Sequence, residues 1–215
     1  MITEKHHQLL LTAKETGKPF SVTTRSYLPA DQAYIDEVLR VFLAELGLPP
    51  LFDQLSYCIR ELADNAKKAN TKRLFFQHSG LRIDEAQDYL KGMETFKTNT
   101  LGNQSFYLDL LEKGTLSIKI EFLLSRESCS IAVRNNSLIL EAELARVRDR
   151  VQKAYTYASL QDAFSEVLDE SEGAGLGIIV LILMLRKVGF DGEFFQIDTL
   201  GDETVARIIL PLTVD

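Results

Sequence analysis

Apolar residues recur at helical spacing in three stretches of the chain. Between Ala30 and Leu48 they lie three or four residues apart, and this stretch ends at the Pro49–Pro50 pair, which predicts a helix. A second helix is predicted from about Asp53 to Asn70. A third, Leu176–Val188, is apolar around its circumference, but its apolar run is about half the ~20 residues of a membrane helix. The third helix is therefore expected in the core.

Short segments rich in β-branched and aromatic residues predict strands between these helices. They are Pro19–Tyr27, Thr115–Leu124, Cys129–Asn135, Glu193–Leu200 and Glu203–Leu212. The short segments SRES and Gly201–Asp202 predict hairpins. Helices grouped between antiparallel strands predict an α+β fold, a two-layer sandwich of a mixed, mostly antiparallel sheet with helices on one face.

The sequence shows no sharp domain boundary, because it has no repeat, low-complexity tract or linker. We expect an N-terminal extension over residues 1–18 and one domain over 19–215. Residues 80–114 are a polar insert, predicted to be helical in parts with breaks near Gly92 and Gly102. Residues 137–172 are charged and helical.

Composition narrows the functional classes. The 215 residues carry a formal net charge of -7 and no basic tract, so we do not expect nucleic-acid binding. The N-terminus lacks the apolar core of a secretory signal, and we expect no membrane span. Cys58 and Cys129 lie far apart in apolar surroundings and are predicted to be inert core thiols rather than a disulfide or metal pair. These features predict a cytoplasmic protein.

The segment ELADNAKKAN, residues 61–70, places polar side chains beside the apolar face of the second helix. At about 100° per residue, Glu61, Asn65 and Lys68 form a row along one edge of that face. One interpretation is that these side chains border the core and extend into water. The other is a polar ledge beside a cavity, where a carboxylate, an amide oxygen and an ammonium would serve as base, metal ligand and phosphate partner.

The segment EGAGLGII, residues 172–179, has three alternate glycines directly before the apolar helix. Glycine allows the backbone to approach a ligand closely, and a helix N-terminus offers free N–H groups to an anion. The segment does not follow a strand as a Rossmann or P-loop motif would, and it lacks the P-loop Lys-Ser/Thr pair. A flexible hinge is the alternative interpretation.

Together, these two segments resemble the Bergerat-fold (GHKL) ATPases, the group of gyrase, the heat-shock chaperone, histidine kinases and the DNA-repair protein MutL. ELADNAKKAN resembles the family's asparagine box, and GAGLGI resembles the glycine box that follows the ATP lid. The last two predicted strands are similar to the closing strand pair of the family. The resemblance extends over about residues 30–212 and implies the Bergerat ATP-binding fold with ATP and Mg²⁺ as cofactors.

The resemblance implies a role for each matching residue. Asn65 would ligate Mg²⁺, Glu61 would orient or deprotonate the attacking group, and Lys68 would lie near the phosphates. Thr204 would support the adenine pocket. The backbone of the glycine segment would surround the phosphates, at Gly173, Gly175, Leu176 and Gly177.

One motif departs from the family pattern. Where the family has DxGxG, this chain has Asn135, Ser137 and Ile139. The asparagine can accept a hydrogen bond from the adenine amino group without charge assistance. Asn135→Asp is therefore predicted to tighten adenine binding several-fold, by on the order of 1 kcal/mol. The departure also leaves open the alternative of a family member that binds nucleotide weakly or not at all.

The absence of a kinase-type histidine pattern narrows the branches of the family that this chain can resemble. His6, His7 and His78 do not lie in the pattern of a phosphorylated kinase histidine, so a stand-alone module is expected. It looks most like the anti-sigma-factor serine kinases, which bind a partner and phosphorylate a small antagonist protein. The implied partner is a regulatory protein, either a sigma factor or such an antagonist, and the resemblance also allows a homodimer.

The sequence therefore leaves two alternative functions open. The first is a protein serine/threonine kinase or simple ATPase with Glu61 as base. The second is a nucleotide-regulated or degenerate module that sequesters a signalling protein without chemistry. Residues 137–172 correspond to the ATP lid of the family. Their charges are either a solvated helical face or part of the site, in which case Arg146, Arg148 and Arg150 are candidates for reaching the γ-phosphate, and their spacing does not distinguish them.

Overall fold

The structure, a computed structural model, describes residues 8, 12, 13, 15–125, 128–167, 176–190 and 194–211, and for 164–167 it describes the backbone alone. The elements follow one another as β1 (Phe20–Thr24), α1 (Pro29–Glu45), a 3₁₀ turn (Pro49–Leu51), α2 (Phe52–His78), α3 (Ala86–Gly102), α4 (Gln104–Lys113), β2 (Ile118–Leu124), β3 (Ser128–Asn135), α5 (Glu141–Thr156), α6 (Leu160–Val167), α7 (Leu176–Lys187), β4 (Phe195–Leu200) and β5 (Glu203–Pro211).

The strands form one sheet in the order β1-β2-β3-β5-β4. Every neighbouring pair is antiparallel. The predicted α+β class is confirmed, whereas the expectation of a mixed sheet is wrong for the described strands. Two hairpins join β2 to β3 and β4 to β5, and the helical connections place β1 antiparallel to β2 and β5 antiparallel to β3.

The two faces of the sheet differ in chemistry. Alternate residues such as Ile118, Ile120 and Phe122 are buried in one core with α1, α2 and α7. On the other face, Arg134 pairs with Glu121 at 3.2 Å and with Glu203. The period-two alternation therefore decides which face receives the helices.

Helix α2 is longer than predicted, because it continues two turns beyond Asn70 to His78. Its added turns carry Phe75 and Phe76, which are buried in a second apolar cluster with Phe96 and Tyr107. Tertiary packing thus extends a helix whose polar tail alone would end earlier.

The polar insert supplies α3 and α4. Gly102 ends α3 as predicted, but the predicted break at Gly92 is wrong, because Gly92 lies inside α3 and is buried. A Cβ at this position would overlap the ring of Phe76. Gly92 therefore serves close packing of α3 on α2 rather than a turn.

The remaining sequence expectations concern the cysteines and the membrane. Cys58 and Cys129 are buried and free, as predicted. Burial raises the pKa of Cys58 to about 12 and that of Cys129 to about 11, so both are poor nucleophiles. Among the described helices, none has the length and apolar content needed to span a bilayer.

Candidate functional site

A cavity of about 270 Å³ lies between α2, α5 and the sheet. This volume is close to the lower end of the ~300–1,000 Å³ typical of small-molecule sites. Its lining residues are Leu62, Asn65, Ala66, Lys68, Ala69, Lys72, Arg73, Tyr89, Met93, Val133, Asn135, Ile139, Glu143, Arg146, Val147, Arg150, Ile178, Ile197, Thr204 and Ala206. The lining combines an apolar interior with charged side chains, as ligand sites commonly do.

Four residues to which the resemblance gives a role at the nucleotide site line this one cavity. Asn65 and Lys68 come from α2, Asn135 from the end of β3 and Thr204 from β5. Asn135 and Thr204 are direct cross-strand partners in the antiparallel register. The fold thus brings together three segments that are far apart in the sequence.

Glu61 lies next to Asn65 but does not line the cavity. Asn65 Nδ2 donates a hydrogen bond to Glu61 Oε1 at 3.0 Å. The Glu61 carboxylate also lies against Gly177, where a Cβ would overlap it. Gly177 therefore has a steric role: its missing side chain makes room for Glu61 at the junction of α2 and α7.

The predicted glycine segment is only partly described. Gly173 and Gly175 lie outside the described residues. Leu176 and Gly177 begin α7, and among the described lining residues it is the next one, Ile178, that reaches the cavity. Helices α2 and α7 pack on each other, so this part of the predicted pocket is adjacent to Asn65.

A buried polar cluster, here called the floor, consists of Asn70, Asn135, Ser137 and Thr204. These side chains are at most 7% exposed. Ser137 Oγ donates to Asn70 Oδ1 at 3.0 Å, and Thr204 Oγ1 donates to the Ser137 carbonyl at 2.6 Å. Within the floor, the Ser137 and Thr204 hydroxyls thus donate to buried acceptors, as buried polar groups require.

The floor sets the orientation of the Asn135 amide. Asn135 Nδ2 donates to Ser137 Oγ at 2.7 Å, and the Ser137 carbonyl and Asn70 Oδ1 each lie 3.4 Å from it. A carbonyl can only accept, so the amide nitrogen faces the floor. Asn135 Oδ1 makes no hydrogen bond with any described residue, and Asn135 lines the cavity. This oxygen therefore keeps its capacity to accept a hydrogen bond.

Two of the three departures from the DxGxG pattern, Asn135 and Ser137, therefore form one unit. Ser137 stands where the family has glycine, and its hydroxyl contacts the amide that stands where the family has aspartate. Asn70, which the sequence analysis did not single out, completes the unit and also donates to the Ser117 carbonyl at 3.4 Å. Helical spacing from Leu62 and Ala66 places Asn70 on the buried side of α2, but nothing in ELADNAKKAN indicates its partners beyond that helix.

The charged side of the cavity, here called the cationic wall, contrasts with the acidic chain. Among the described lining residues, one is a carboxylate, Glu143, and five are cations: Lys68, Lys72, Arg73, Arg146 and Arg150. The whole chain has a net charge of -7. This local excess of positive charge favours an anionic ligand.

Two cations of the wall have structural partners. Lys72 forms an ion pair with Glu143, and their side chains are only 13% and 12% exposed. Burial opposes the ionisation of Glu143, but Lys72 and Arg73 outweigh it, so the pKa of Glu143 is lower than usual. Arg73 donates to the Ala69 carbonyl at 3.1 Å and to that of Leu138. Lys72 and Arg73 thus attach α5 and its preceding loop to α2.

The three lid arginines now differ. Arg148 contacts Asp198 at 3.4 Å on the exposed surface and is absent from the described cavity lining. Arg146 donates to the Tyr89 hydroxyl at 3.0 Å. Arg150, like Lys68, lines the cavity without a hydrogen bond or ion pair to any described residue. Lys68 and Arg150 are therefore the cations of the described lining without such a partner.

The sequence analysis missed Tyr89 and Met93, which line the cavity from α3. It also missed Lys72, although that residue follows Lys68 by one helical turn. Extending the helical wheel beyond Asn70 would have found Lys72. The sequence of the insert gives no comparable signal for Tyr89 and Met93. Helix α3 approaches the cavity through its packing on Phe76, which is a tertiary contact.

A divalent cation would find one protein ligand at this site. Asn65 Nδ2 is engaged by Glu61, so its Oδ1 remains available. The described residues contain no group of three or more His, Cys, Asp or Glu side chains able to hold a metal. Mg²⁺ commonly uses one or two protein ligands together with water and substrate phosphates. The residues fit Mg²⁺ only as a companion of a phosphate ligand.

Comparison with known proteins finds a relative that matches most of this chain. An uncharacterised protein of Treponema pallidum (strain Nichols) is 38% identical over 204 residues, which cover 94% of this chain and 40% of that protein. The chain therefore spans about two fifths of the relative's length. No family model matches the chain, and no solved structure matches it.

Proposed function

We propose that the chain is a Bergerat-type module that binds Mg²⁺-ATP and acts as a protein serine/threonine kinase in partner switching. One observation carries the proposal: a single cavity collects Asn65, Lys68, Asn135 and Thr204 from three separate segments. The sequence resemblance implies that these four residues belong to one nucleotide site. The excess of positive charge in the wall supports a phosphate-bearing ligand.

At the phosphate end, Asn65 would hold Mg²⁺ through Oδ1, and Lys68 would bind phosphate oxygens. When bound, Mg²⁺ would neutralise charge on the phosphates. Glu61 lies one hydrogen bond behind Asn65. Its carboxylate would accept the proton of the attacking hydroxyl as that oxygen bonds to the γ-phosphorus and ADP leaves.

At the base end, Asn135 Oδ1 would accept a hydrogen bond from the adenine amino group. Guanine presents a keto oxygen at the equivalent position, and two acceptors repel each other. Because the floor holds the Asn135 amide by its nitrogen, the acceptor orientation is built into the fold. The proposal therefore includes a preference for ATP over GTP.

A second candidate is a module that binds a nucleotide or a protein partner without catalysis. Two observations favour it: Asn135 and Ser137 replace the family's motif residues, and Glu61 does not line the described cavity. In either case, the partner would be a cytoplasmic regulatory protein, a sigma factor or a small antagonist. The lack of a kinase-type histidine pattern at His6, His7 and His78 supports hydroxyl rather than histidine phosphorylation.

Calorimetric titration with ATP, ADP and GTP, with and without Mg²⁺, tests the ligand. We expect Mg²⁺-dependent ATP binding that exceeds GTP binding and is lost in Asn65→Ala. Gln77→Ala, an exposed amide on the same helix, is the matched control and should bind as wild type does. Absence of ATP binding at millimolar concentration would reject the ATP-binding proposal.

Glu61→Gln separates the two candidates. The substitution keeps shape and hydrogen-bonding reach but removes proton acceptance, so ATP binding should survive while phosphate release or phosphotransfer falls by ~10²–10⁴. Asp64→Asn makes the same chemical change at an exposed neighbour and should leave turnover unchanged. Wild-type activity that persists in Glu61→Gln would refute the catalytic role, and a wild type without turnover favours the second candidate.

A further inference from the structure

Helices α2, α3 and α5 meet at the hydroxyl group of Tyr89. Arg146 Nη2 donates to this oxygen at 3.0 Å, and the hydroxyl lies 3.3 Å from Glu143 Oε1. Glu143 in turn pairs with Lys72. A tyrosine hydroxyl has one proton to donate and can also accept, so it donates to Glu143 and accepts from Arg146. The result is a continuous polar chain from Arg146 to Lys72.

The Tyr89 ring is held by packing. It stacks on Phe76 with ring centroids 5.9 Å apart and planes 26° from parallel. Phe76 itself is only 1% exposed. Gly92, one turn along α3, allows this approach because a Cβ there would overlap the Phe76 ring. The hydroxyl is therefore supported from behind by a rigid core contact.

The same helix face reaches the cavity. Tyr89 and Met93, four residues apart on α3, line it together with Asn65 and Asn135. The insert, which the family resemblance leaves unexplained, is thus one wall of the candidate ligand site.

We infer that Tyr89 is a positioning residue for anion binding, which presents Arg146 to the phosphate chain of the ligand and keeps Glu143 from opposing it. Arg146 is an exposed side chain with a flexible stem. A hydrogen bond that orders it beforehand lowers the entropy lost on binding. Glu143, the carboxylate of the described lining, is compensated by Lys72 and bonded by Tyr89. The inference rests on the proposed function only in requiring a phosphate-bearing ligand.

Tyr89→Phe is the test, because it removes the hydroxyl and keeps the ring on Phe76. The probes are ATP, adenosine and inorganic tripolyphosphate, titrated by calorimetry. We expect affinity for ATP and tripolyphosphate to fall about three- to tenfold, as the loss of one hydrogen bond predicts. Adenosine affinity should not change. A merely structural role of Tyr89 would weaken adenosine and ATP equally, and that outcome would overturn the inference.

A double-mutant cycle strengthens the test. Once Arg146→Met is present, adding Tyr89→Phe should weaken tripolyphosphate binding less than it does in the wild type, because the residue being positioned is gone and only the contact with Glu143 is then lost. Arg146→Lys should recover part of the loss. Arg148→Met, the exposed neighbour paired with Asp198, is the matched control and should bind as wild type does. Fully additive losses would overturn the inference.

The same titrations distinguish failure of the proposed ATP binding from failure of the Tyr89 inference. A wild type that binds tripolyphosphate but not ATP rejects the ATP-binding proposal, and the Tyr89 test then proceeds on tripolyphosphate. A wild type that binds ATP with unchanged affinity in Tyr89→Phe rejects the inference alone. A wild type that binds neither probe rejects both.

Discussion

The floor and the cationic wall line the same cavity but are built in opposite ways. The floor is neutral and buried, and its members bond to one another: Asn70, Asn135, Ser137 and Thr204. The wall is charged, partly exposed, and includes Lys68 and Arg150, which bond to no described residue. The floor therefore has the properties of a protein interior, whereas the wall has those of a positively charged surface that favours anions.

This difference separates stability from binding. Removing a floor group leaves its buried partners unsatisfied, which costs stability whether or not a ligand is present. Removing an unpaired wall cation costs the folded protein little, because exposed charges contribute little to stability. We therefore expect floor variants to change unfolding and wall variants to change salt-dependent affinity. Four predictions follow the order of expected effect.

Asn70→Ala should be the most damaging change. It removes the acceptor of the Ser137 hydroxyl and of Asn135 Nδ2 and the donor to the Ser117 carbonyl. We expect a loss of about 2–5 kcal/mol in the free energy of unfolding, measured by urea denaturation. Asn103→Ala is the control, because Asn103 is exposed and should cost no more than about 0.5 kcal/mol. Equal losses in the two variants would show that Asn70 contributes no more to stability than an exposed asparagine does.

Asn135→Asp is expected to strengthen ligand binding but to destabilise the floor. Charge assistance predicts tighter adenine binding, but the new carboxylate oxygen would face the Ser137 carbonyl and Asn70 Oδ1, each 3.4 Å away. We expect a loss of about 1–3 kcal/mol in stability at pH 7. Burial raises the folded-state pKa of an aspartate above its ordinary ~3.9, so stability should recover as pH falls toward 4. A variant that is as stable as wild type at pH 7 would show that the floor tolerates charge.

Glu143→Gln tests the paired part of the wall. The folded-state pKa of Glu143 is lowered, so its contribution to stability is present above the ordinary ~4.3 and is lost as pH falls through the folded-state value. We expect about 1–3 kcal/mol lower stability at neutral pH and a difference from wild type that shrinks below about pH 4. Tripolyphosphate should bind more tightly, because the wall loses its carboxylate. A pH-independent difference would mean that shape rather than charge is responsible.

Arg150→Met should give the smallest effect and the clearest salt dependence. Arg150 lines the cavity, so its loss should weaken tripolyphosphate binding by about five- to tenfold at low salt, and less near 0.5 M salt where charges are screened. The melting temperature should not change. Arg148→Met, the neighbour paired with Asp198, should bind as wild type does. Equal effects of the two substitutions would indicate a general field rather than a defined contact.

The extent to which sequence predicted the site differs between these regions. Glu61, Asn65 and Lys68 could be placed together because they share one helix, where the angle per residue is constant. Asn70 is in the same segment, but its importance depends on β3, to which only the fold brings it. The roles of Gly92 and Gly177 were equally out of reach, because the Phe76 ring and the Glu61 carboxylate that they accommodate lie on another helix.

The sequence by itself determined the helices and strands, the buried face of α2 and the apolar character of α7, because these depend on spacing along the chain. Tertiary structure alone decided the uniformly antiparallel sheet, the extension of α2 to His78, the orientation of the Asn135 amide and the entry of Tyr89 into the cavity wall. Each of these depends on contacts between residues far apart in the chain. Periodicity reports which side of an element is buried, but not which element will bury it.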